Sequence, residues 1–364
     1  MSRIAVALSG GVDSSTTAAL LQKEGHEVFG VTMSLCESEG AKVSLDYAKR
    51  ACDQLKIDHH VFDFKDQFSK NIIDYFKSSY ISGITPNPCA KCNRIIKFGL
   101  LFDAVSGMGA DALATGHYVK TAQDQDGEIG LYKGVDMTKD QSYFLFGVKR
   151  ETLKSLVFPL GDKCKTEVRR LAAEFGLCTA DRKESQDICF IPSGDYKSVL
   201  GCQPKLGDIV DTNGNIVGQH AGLWNYTIGQ RKGLGVSGSK PLFVVDMDSE
   251  NNRLIVGEQS QLEYNKFQVQ EVNWLIDPGR LPQEVSVKTR YAQSPMPAKI
   301  IPLDGESDVI VELKQPAFAL SPGQFAVFYA GDRVLGGGCI HGKCLPTAAV
   351  DELTNLRQAC IAHG

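Results

Sequence analysis

No apolar run in the chain approaches the ~20 residues that span a bilayer. From Met1-Ser2-Arg3 it passes straight into a strand-like segment, with neither a signal-type apolar core nor an Arg-rich leader. These absences predict a cytoplasmic protein with no membrane partner. Net charge is also scarce, at −4 over 364 residues, which by itself argues weakly against a nucleic-acid partner. The 11 cysteines are odd in number and scattered, which argues against a disulfide framework and for free thiols. Internal repeats, low-complexity tracts and long linkers are missing too. The 43% hydrophobic and 23% charged content describes a globular chain. At about 100–200 residues per domain its length predicts two or three domains.

What is present begins at Ser9-Gly10-Gly11-Val12-Asp13-Ser14-Ser15. An apolar run, Ile4 to Leu8, precedes it and reads as a buried parallel strand; Thr16 to Glu24 follows and reads as a helix. Strand, glycine turn, helix is the order that aims free backbone N–H groups at an anion, with the helix dipole favouring negative charge. A Walker A loop needs Lys where this chain has Asp13, and a dinucleotide fingerprint needs three spaced glycines where this chain has two adjacent ones. Ser-Gly-Gly-x-Asp-Ser-Ser so placed resembles instead the PP-loop of ATP pyrophosphatases, which split ATP between the α and β phosphates and leave an adenylated substrate.

The spacing downstream predicts a strand over His26–Met33, a helix over about 41–55 burying Val43, Tyr47, Ala48, Ala51 and Leu55, a strand over His60–Phe64, a helix over about 66–80 and a strand over Asp111–Thr115. This alternation implies an α/β fold with a doubly wound parallel sheet and ligands at the carboxyl ends of its strands. Met33 and Gly116 lie at two such ends.

In Thr85-Pro86-Asn87-Pro88-Cys89-Ala90-Lys91-Cys92 the prolines keep the chain non-helical up to Pro88, and Ile95, Ile96, Phe98, Leu101 and Phe102 then read as an amphipathic helix. Cys92 near a helix start, beside Lys91, Arg94 and Lys97, is expected to have a lowered pKa and to act as a nucleophile. Gly116 permits close approach to a ligand, and His117 is a candidate to orient a base or phosphate. Gln123–Glu128 reads as a hairpin tip, and Lys139-Asp140-Gln141-Ser142-Tyr143 gathers hydrogen-bonding side chains. Basic residues cluster at Lys149, Arg150, Lys154, Lys163, Lys165, Arg169, Arg170, Arg182 and Lys183, then at Arg231-Lys232 and at Lys288 and Arg290. Such clusters are solvated helix faces more often than phosphate contacts.

From about residue 200 an Asn213-Gly214 hairpin turn and the glycine-rich Thr227–Gly235 mark a small β-rich module. Alternating segments at 284–291, 309–313 and 325–329 predict a closed antiparallel barrel. The expected domains are 1–199 (PP-loop catalytic), 200–265 (central, β-rich) and 266–364 (C-terminal β-barrel).

Seven ordered motifs carry a more specific resemblance: SGGVDSS at 9–15, TPNPCAKCNRIIKF at 85–98, ATGHY at 114–118, KDQSYFL at 139–145, ESQDICFI at 184–191, TIGQRKGLG at 227–235 and SPGQ at 321–324. With them the chain resembles the tRNA-specific 2-thiouridylases of the MnmA/TrmU family over nearly its whole length. The resemblance implies an enzyme that exchanges O2 of the wobble uridine (position 34) in the anticodon loop of the tRNAs for Lys, Glu and Gln for sulfur. ATP would be bound by Ala7, Leu8, Ser9, Gly10, Gly11, Val12, Asp13 and Ser14, with Met33 and Gly116 completing the pocket. Asp13 and nearby hydroxyls would help hold Mg²⁺. Cys189 would carry a persulfide supplied by a cysteine desulfurase or relay protein, and Cys92 would be the second catalytic cysteine, closing a transient disulfide with Cys189. Asn87, Pro88 and Cys89 would hold the target base, and His117, Lys139, Asp140, Gln141, Arg290, Tyr291 and Gln324 would contact tRNA. The basic clusters then gain weight as phosphate contacts, and a monomer is expected.

The chain departs from many family members in carrying Cys89 where they have an acidic residue. Cys89, Cys92 and Cys189 form a three-thiolate set that would suit either a 4Fe–4S cluster with one open iron or a site of redox control. The rivals are another PP-loop adenylating enzyme, or a nucleotide- and RNA-binding protein without catalysis.

Overall fold

A computed structural model describes residues 1–183, 188–191, 195–236, 238, 240–303 and 307–341. The stretch 184–187 of the ESQDICFI motif lies outside the described residues.

The amino-terminal sheet is parallel throughout, its strands ordered His59–Asp63, Glu27–Ser34, Arg3–Ala7, Ala112–Thr115 and Leu156–Val157. The chain builds outward from Arg3–Ala7 on one side and then returns to its other side with Ala112–Thr115. That reversal opens a crevice at the carboxyl ends of these two strands, where Ser9–Ser14 and Gly116 lie. Ile4, Ala5 and Val6 are fully buried, as a central strand covered on both faces requires.

The helix Val12–Lys23 is buried from Ser14 to Leu21 despite its hydroxyls. Thr16 and Thr17 donate to the carbonyls of Val12 (2.8 Å) and Asp13 (2.9 Å), so no polar group is stranded. The next helix, Glu39–Leu55, corrects one expectation: Ala48, Ala51 and Cys52 are its buried residues, while Val43 is 43% exposed. Its amino-terminal turns run beside the Ser9–Ser14 loop, with Ser44 and Tyr47 against Arg182.

The central module orders its strands as Phe243–Asp248, Arg253–Gly257, Gly207–Asp211 and Ile216–His220. Asp211 accepts from the backbone N–H groups of Asn213 and Asn215 and so fixes the Asn213-Gly214 turn. In the carboxyl-terminal module Glu263–Trp274, Val309–Phe318, Met296–Pro302, Val285–Lys288, Phe325–Ala330 and Arg333–Ile340 pair antiparallel in sequence, and Glu263–Trp274 also pairs with Arg333–Ile340. The six strands therefore close into a barrel.

The hairpin predicted around 123–128 forms from Val119–Gln123 and Ile129–Lys133, and it extends this distant sheet through Leu131 and Tyr132 opposite Val334 and Arg333. Asp124 pairs with Arg333 (2.8 Å) and Asp126 with Arg280 (2.6 Å). One hydrophobic cluster runs from Ala5 and Leu113 of the parallel sheet to Val327 and Tyr329 of the barrel. Sheet and barrel thus share a core, and loops contributed by both are held in fixed relation.

Candidate active site

At the amino-terminal loop Gly10 adopts φ +72°, and a Cβ there would overlap the Ser44 carbonyl. Only glycine fits. The Ser14 hydroxyl donates to the Gly11 carbonyl (3.1 Å), and the Ser9 N–H donates to Ser14 Oγ (3.1 Å), so side chains brace the turn. Gly11 stands at the N-cap with no capping side chain, which leaves the first N–H groups of a twelve-residue helix for a ligand. Gly116 closes the cradle from the adjacent strand: a Cβ on it would lie 2.8 Å from the carbonyl carbon of Asp13 and 2.9 Å from Ser14 N.

Two cations pin this loop. Lys165 Nζ lies 2.7 Å from both carboxylate oxygens of Asp13, and the Tyr118 hydroxyl donates to Asp13 Oδ1 at 2.7 Å. Arg182 donates to the Gly10 carbonyl and to Ser44 Oγ. The carboxylate of Asp13, expected to help hold Mg²⁺, is engaged by Lys165 and Tyr118. Among the described residues no group of three or more His, Cys, Asp or Glu is placed to hold a metal ion. Several members of the basic cluster have partners within the chain. Lys165 and Arg182 serve the loop, Arg169 donates to the carbonyls of Ala180 and Arg182, and Arg170 pairs with Glu174.

The second half of the site is built on the helix that opens at Pro88. Asn87 caps it by accepting from the Ala90 N–H (3.2 Å), and Pro88 takes the first position, where its missing N–H costs nothing. Cys89 is exposed; Cys92 is half-buried and packs with Leu35 and Phe190 against Phe68, Ile72 and Ile96. Phe190 meets Phe68 and Phe76 edge-on at 5.6 and 5.3 Å, which fixes the exposed Cys189 beside it. Met33 contacts both the cluster around Cys92 and the core of the parallel sheet.

The expected lowered pKa of Cys92 is overturned. Desolvation pushes its thiol up to about 11 and that of Cys189 up to about 12, and it raises Cys89. Cys89 and Cys189 are open to solvent yet surrounded by protein on most sides, so little water stabilises a thiolate. Lys97 opposes the shift at all three thiols, but a single cation does not offset the desolvation. Lys97 Nζ also lies 3.3 Å from His117 Nε2, while His117 Nδ1 is 2.7 Å from Thr115 Oγ1. Burial, reinforced by Lys97, holds the His117 pKa well below the usual imidazole value. The ring is neutral and accepts from Lys97.

Several residues expected to touch RNA have other partners. Asp140 is 5% exposed, accepts from the N–H groups of Gly134 and Ser142 and from the Ser142 hydroxyl, and so braces its own turn. His117 is buried too, with both nitrogens engaged. Gln141 accepts from the Tyr118 N–H (3.0 Å). Gln324 donates to the Thr85 carbonyl (2.8 Å), and Arg290 donates to the Ala319 carbonyl and Ser321 Oγ. The barrel thereby holds the segment leading into Pro88. Lys139 is half-buried, and Tyr291, 38% exposed, lies against Phe144 at 4.6 Å with Lys288 over its ring.

Residues 2–193 match the family model described as the tRNA methyl transferase HUP domain, 200–258 the tRNA methyl transferase PRC-barrel domain, and 264–340 the Aminomethyltransferase beta-barrel domain. The chain is 44% identical over 348 residues to the tRNA-specific 2-thiouridylase MnmA of Nostoc punctiforme, covering 93% of this chain and 99% of that protein. It is 46% identical over 345 residues to the protein of the same name from Pelobacter propionicus, covering 93% and 97%. A solved U34-tRNA thiolase NcsA from Methanococcus maripaludis with its 4Fe–4S cluster is 21% identical, with a TM-score of 0.36 and coverage of 55% of this chain and 64% of that one.

Proposed function

The chain belongs to the tRNA-specific 2-thiouridylase (MnmA) family, and from that premise we propose that it replaces O2 of the wobble uridine of tRNA by sulfur at the cost of ATP. The single observation that carries this reading is the continuity of the two halves of the site. Gly116 abuts Asp13 and Ser14 of the phosphate cradle, its neighbour His117 accepts from Lys97, and Lys97 is the cation facing Cys89, Cys92 and Cys189.

In this reading ATP lies on the backbone of Ala7 to Ser14, with Met33 and Gly116 around its adenine. The N–H groups at the start of the Val12 helix take the phosphates, and Lys165 and Arg182 hold the loop in place. Attack of the uridine O2 on the α phosphate releases pyrophosphate and turns a poor leaving group into AMP. A persulfide on Cys189 then attacks C2, and AMP leaves. Cys92 attacks the Cys189 sulfur, which frees the 2-thiouridine and leaves a Cys92–Cys189 disulfide.

Raised thiol pKa values suit this chemistry. They keep Cys92 protonated and unreactive until a substrate is in place, with Lys97 as the charge that stabilises the thiolate when it forms. A target base must be splayed from the anticodon loop. Asn87, Pro88 and Cys89 are proposed to receive it, with Lys139, Gln141, Arg290, Tyr291 and Gln324 around it. The tRNAs for Lys, Glu and Gln, a cysteine desulfurase or relay protein as sulfur donor, a cytoplasmic location and a monomeric state belong to the same proposal, as does the division into 1–199, 200–265 and 266–364. Among the described residues no helix is long and apolar enough to cross a membrane.

Mg²⁺ would accompany ATP on its phosphate oxygens; among the described residues no three His, Cys, Asp or Glu are grouped to hold it on the protein alone. Among the described residues Cys89, Cys92 and Cys189 are not grouped as three ligands of one metal ion, and in this reading they act as thiols. The test is nucleoside mass spectrometry of tRNA from a strain lacking the gene, which is expected to have lost 2-thiouridine. Unchanged 2-thiouridine would return the chain to one of two rivals. Release of pyrophosphate on adding tRNA would indicate another adenylating enzyme, and no release a non-catalytic binder.

A further inference from the structure

Cys89 is the second residue and Cys92 the fifth of the helix Pro88–Cys92, so their thiols share one face of one turn. Cys189 comes to the same place because its neighbour Phe190 packs in the apolar cluster that contains Cys92. The three sulfurs are near enough that Cys92 and Cys89 both disfavour ionisation of Cys189. The sulfur transfer described above consumes only two of these thiols and ends each round with them oxidised. It gives Cys89 no chemistry, although Cys89 is exposed and Cys92 is half-buried.

We propose that Cys89 is the resolving thiol of this site, converting the Cys92–Cys189 disulfide into a Cys89–Cys92 disulfide that an external dithiol then reduces. The proposal rests on the thiouridylase reading. In the exchange the Cys89 thiol gives its proton to solvent and its sulfur attacks Cys92 Sγ. The Cys92–Cys189 bond breaks with its electron pair on Cys189, which takes up a proton and is free to accept the next sulfur. No electrons are gained or lost in that step.

A dithiol reductant, either a small dithiol or a protein carrying one, next attacks the exposed Cys89 sulfur. Its second thiol closes the reductant's own disulfide, and Cys89 and Cys92 are left as thiols. The two electrons that each round of sulfur transfer requires come from that dithiol. Position favours Cys89 over a thiol from solution, because a group one helical turn away attacks at high effective concentration. Forming the new bond requires the Cβ atoms to close from the roughly 5–6 Å of helical neighbours three apart to about 4 Å. This occurs in the first turn of a helix, where fewest intrahelical bonds resist it.

The experiment is a single round of thiolation without reductant. The full-length protein is persulfidated with a cysteine desulfurase, freed of donor and mixed with ATP, Mg²⁺ and a tRNA bearing wobble uridine. It is then quenched in acid and alkylated, and its disulfides are mapped by mass spectrometry against the 2-thiouridine formed. The wild type is expected to hold Cys89–Cys92 in an amount matching the 2-thiouridine, with Cys189 alkylated. For each 2-thiouridine formed, Cys89→Ser is expected to hold Cys92–Cys189 instead. A wild type that retains Cys92–Cys189 with Cys89 alkylated overturns the proposal. Absence of 2-thiouridine from the wild type overturns the thiouridylase reading itself, which separates the two failures.

Discussion

Lys97 Nζ stands 3.3 Å from Nε2 of His117, and that contact joins the nucleotide half of the site to the sulfur half. The strand Ala112–Thr115 delivers His117 from the rim of the phosphate cradle, and the π-helical stretch Asn93–Leu101, which continues the helix Pro88–Cys92, delivers Lys97 from among the thiols. A neutral His117 accepting from Lys97 keeps the ammonium aimed at the place where a thiolate must form.

Replacing Lys97 by Met removes a cation that lowers all three thiol pKa values. Alkylation of Cys92 and Cys189 by iodoacetamide, followed by mass spectrometry, is expected to rise with pH through pH 10 in the wild type, because their pKa values are about 11 and about 12. In Lys97→Met the rise shifts to still higher pH, and 2-thiouridine formation falls about 10²-fold, or ~2.7 kcal/mol of transition-state stabilisation. An unchanged alkylation profile would remove Lys97 from the sulfur chemistry.

His117 links the fold to acid. Its folded pKa lies well below the ordinary 6.5, so below pH 6.5 the unfolded chain binds a proton that the folded chain does not. Stability is therefore lost as pH falls from 6.5, by about 1.4 kcal/mol per unit until the folded pKa is reached. Urea unfolding of wild type and His117→Asn between pH 7 and pH 5 is expected to show a shallower loss in the variant; parallel curves would contradict the assignment.

Much of this site is legible in the residues, and the parts that are not share a cause. The Ser9–Ser15 loop, the Asn87-capped helix and the Asn213-Gly214 turn are local: glycines, prolines and capping side chains act within a few residues of themselves. Asp13 finds Lys165 across 152 positions, and no spacing announces it. The 119–133 hairpin reads as a plain surface turn because its partner strand lies near the far end of the chain. Cys92 shows the limit most clearly, since nearby cations are visible in sequence whereas the protein mass that desolvates the thiol is a tertiary quantity. Asp140 shows it too: the polar string 139–143 does not announce that this carboxylate turns inward to Gly134 and Ser142.

The pairing of Asp13 with Lys165 predicts a compensation. Asp13→Asn leaves the side chain of Lys165, only 11% exposed, without its carboxylate; the expected cost is about 2 kcal/mol, reduced by solvent screening because the Asp13 side chain is 30% exposed. Adding Lys165→Met is expected to restore most of the melting temperature without restoring ATP-dependent pyrophosphate release. Additive losses in the double variant would show that the two side chains act independently.

Phe190 anchors Cys189 through Phe68 and Phe76, on the thiol side of the site. Phe190→Ala is expected to cost about 3 kcal/mol of stability and to uncouple the two half-reactions. Pyrophosphate release on adding tRNA should persist while 2-thiouridine per pyrophosphate falls at least tenfold. Equal losses of both products would mean that Phe190 supports the fold as a whole and not the sulfur step in particular.

The central claim is that uridine is activated by AMP before a thiol-borne sulfur displaces it. The direct measurement is quantitation of pyrophosphate and 2-thiouridine in one turnover of wild type and Cys189→Ala, with ATP, tRNA and a sulfur donor. The account predicts that both proteins release pyrophosphate only when tRNA is present and that the wild type alone makes 2-thiouridine. Formation of 2-thiouridine by Cys189→Ala, or by the wild type without pyrophosphate release, would contradict it.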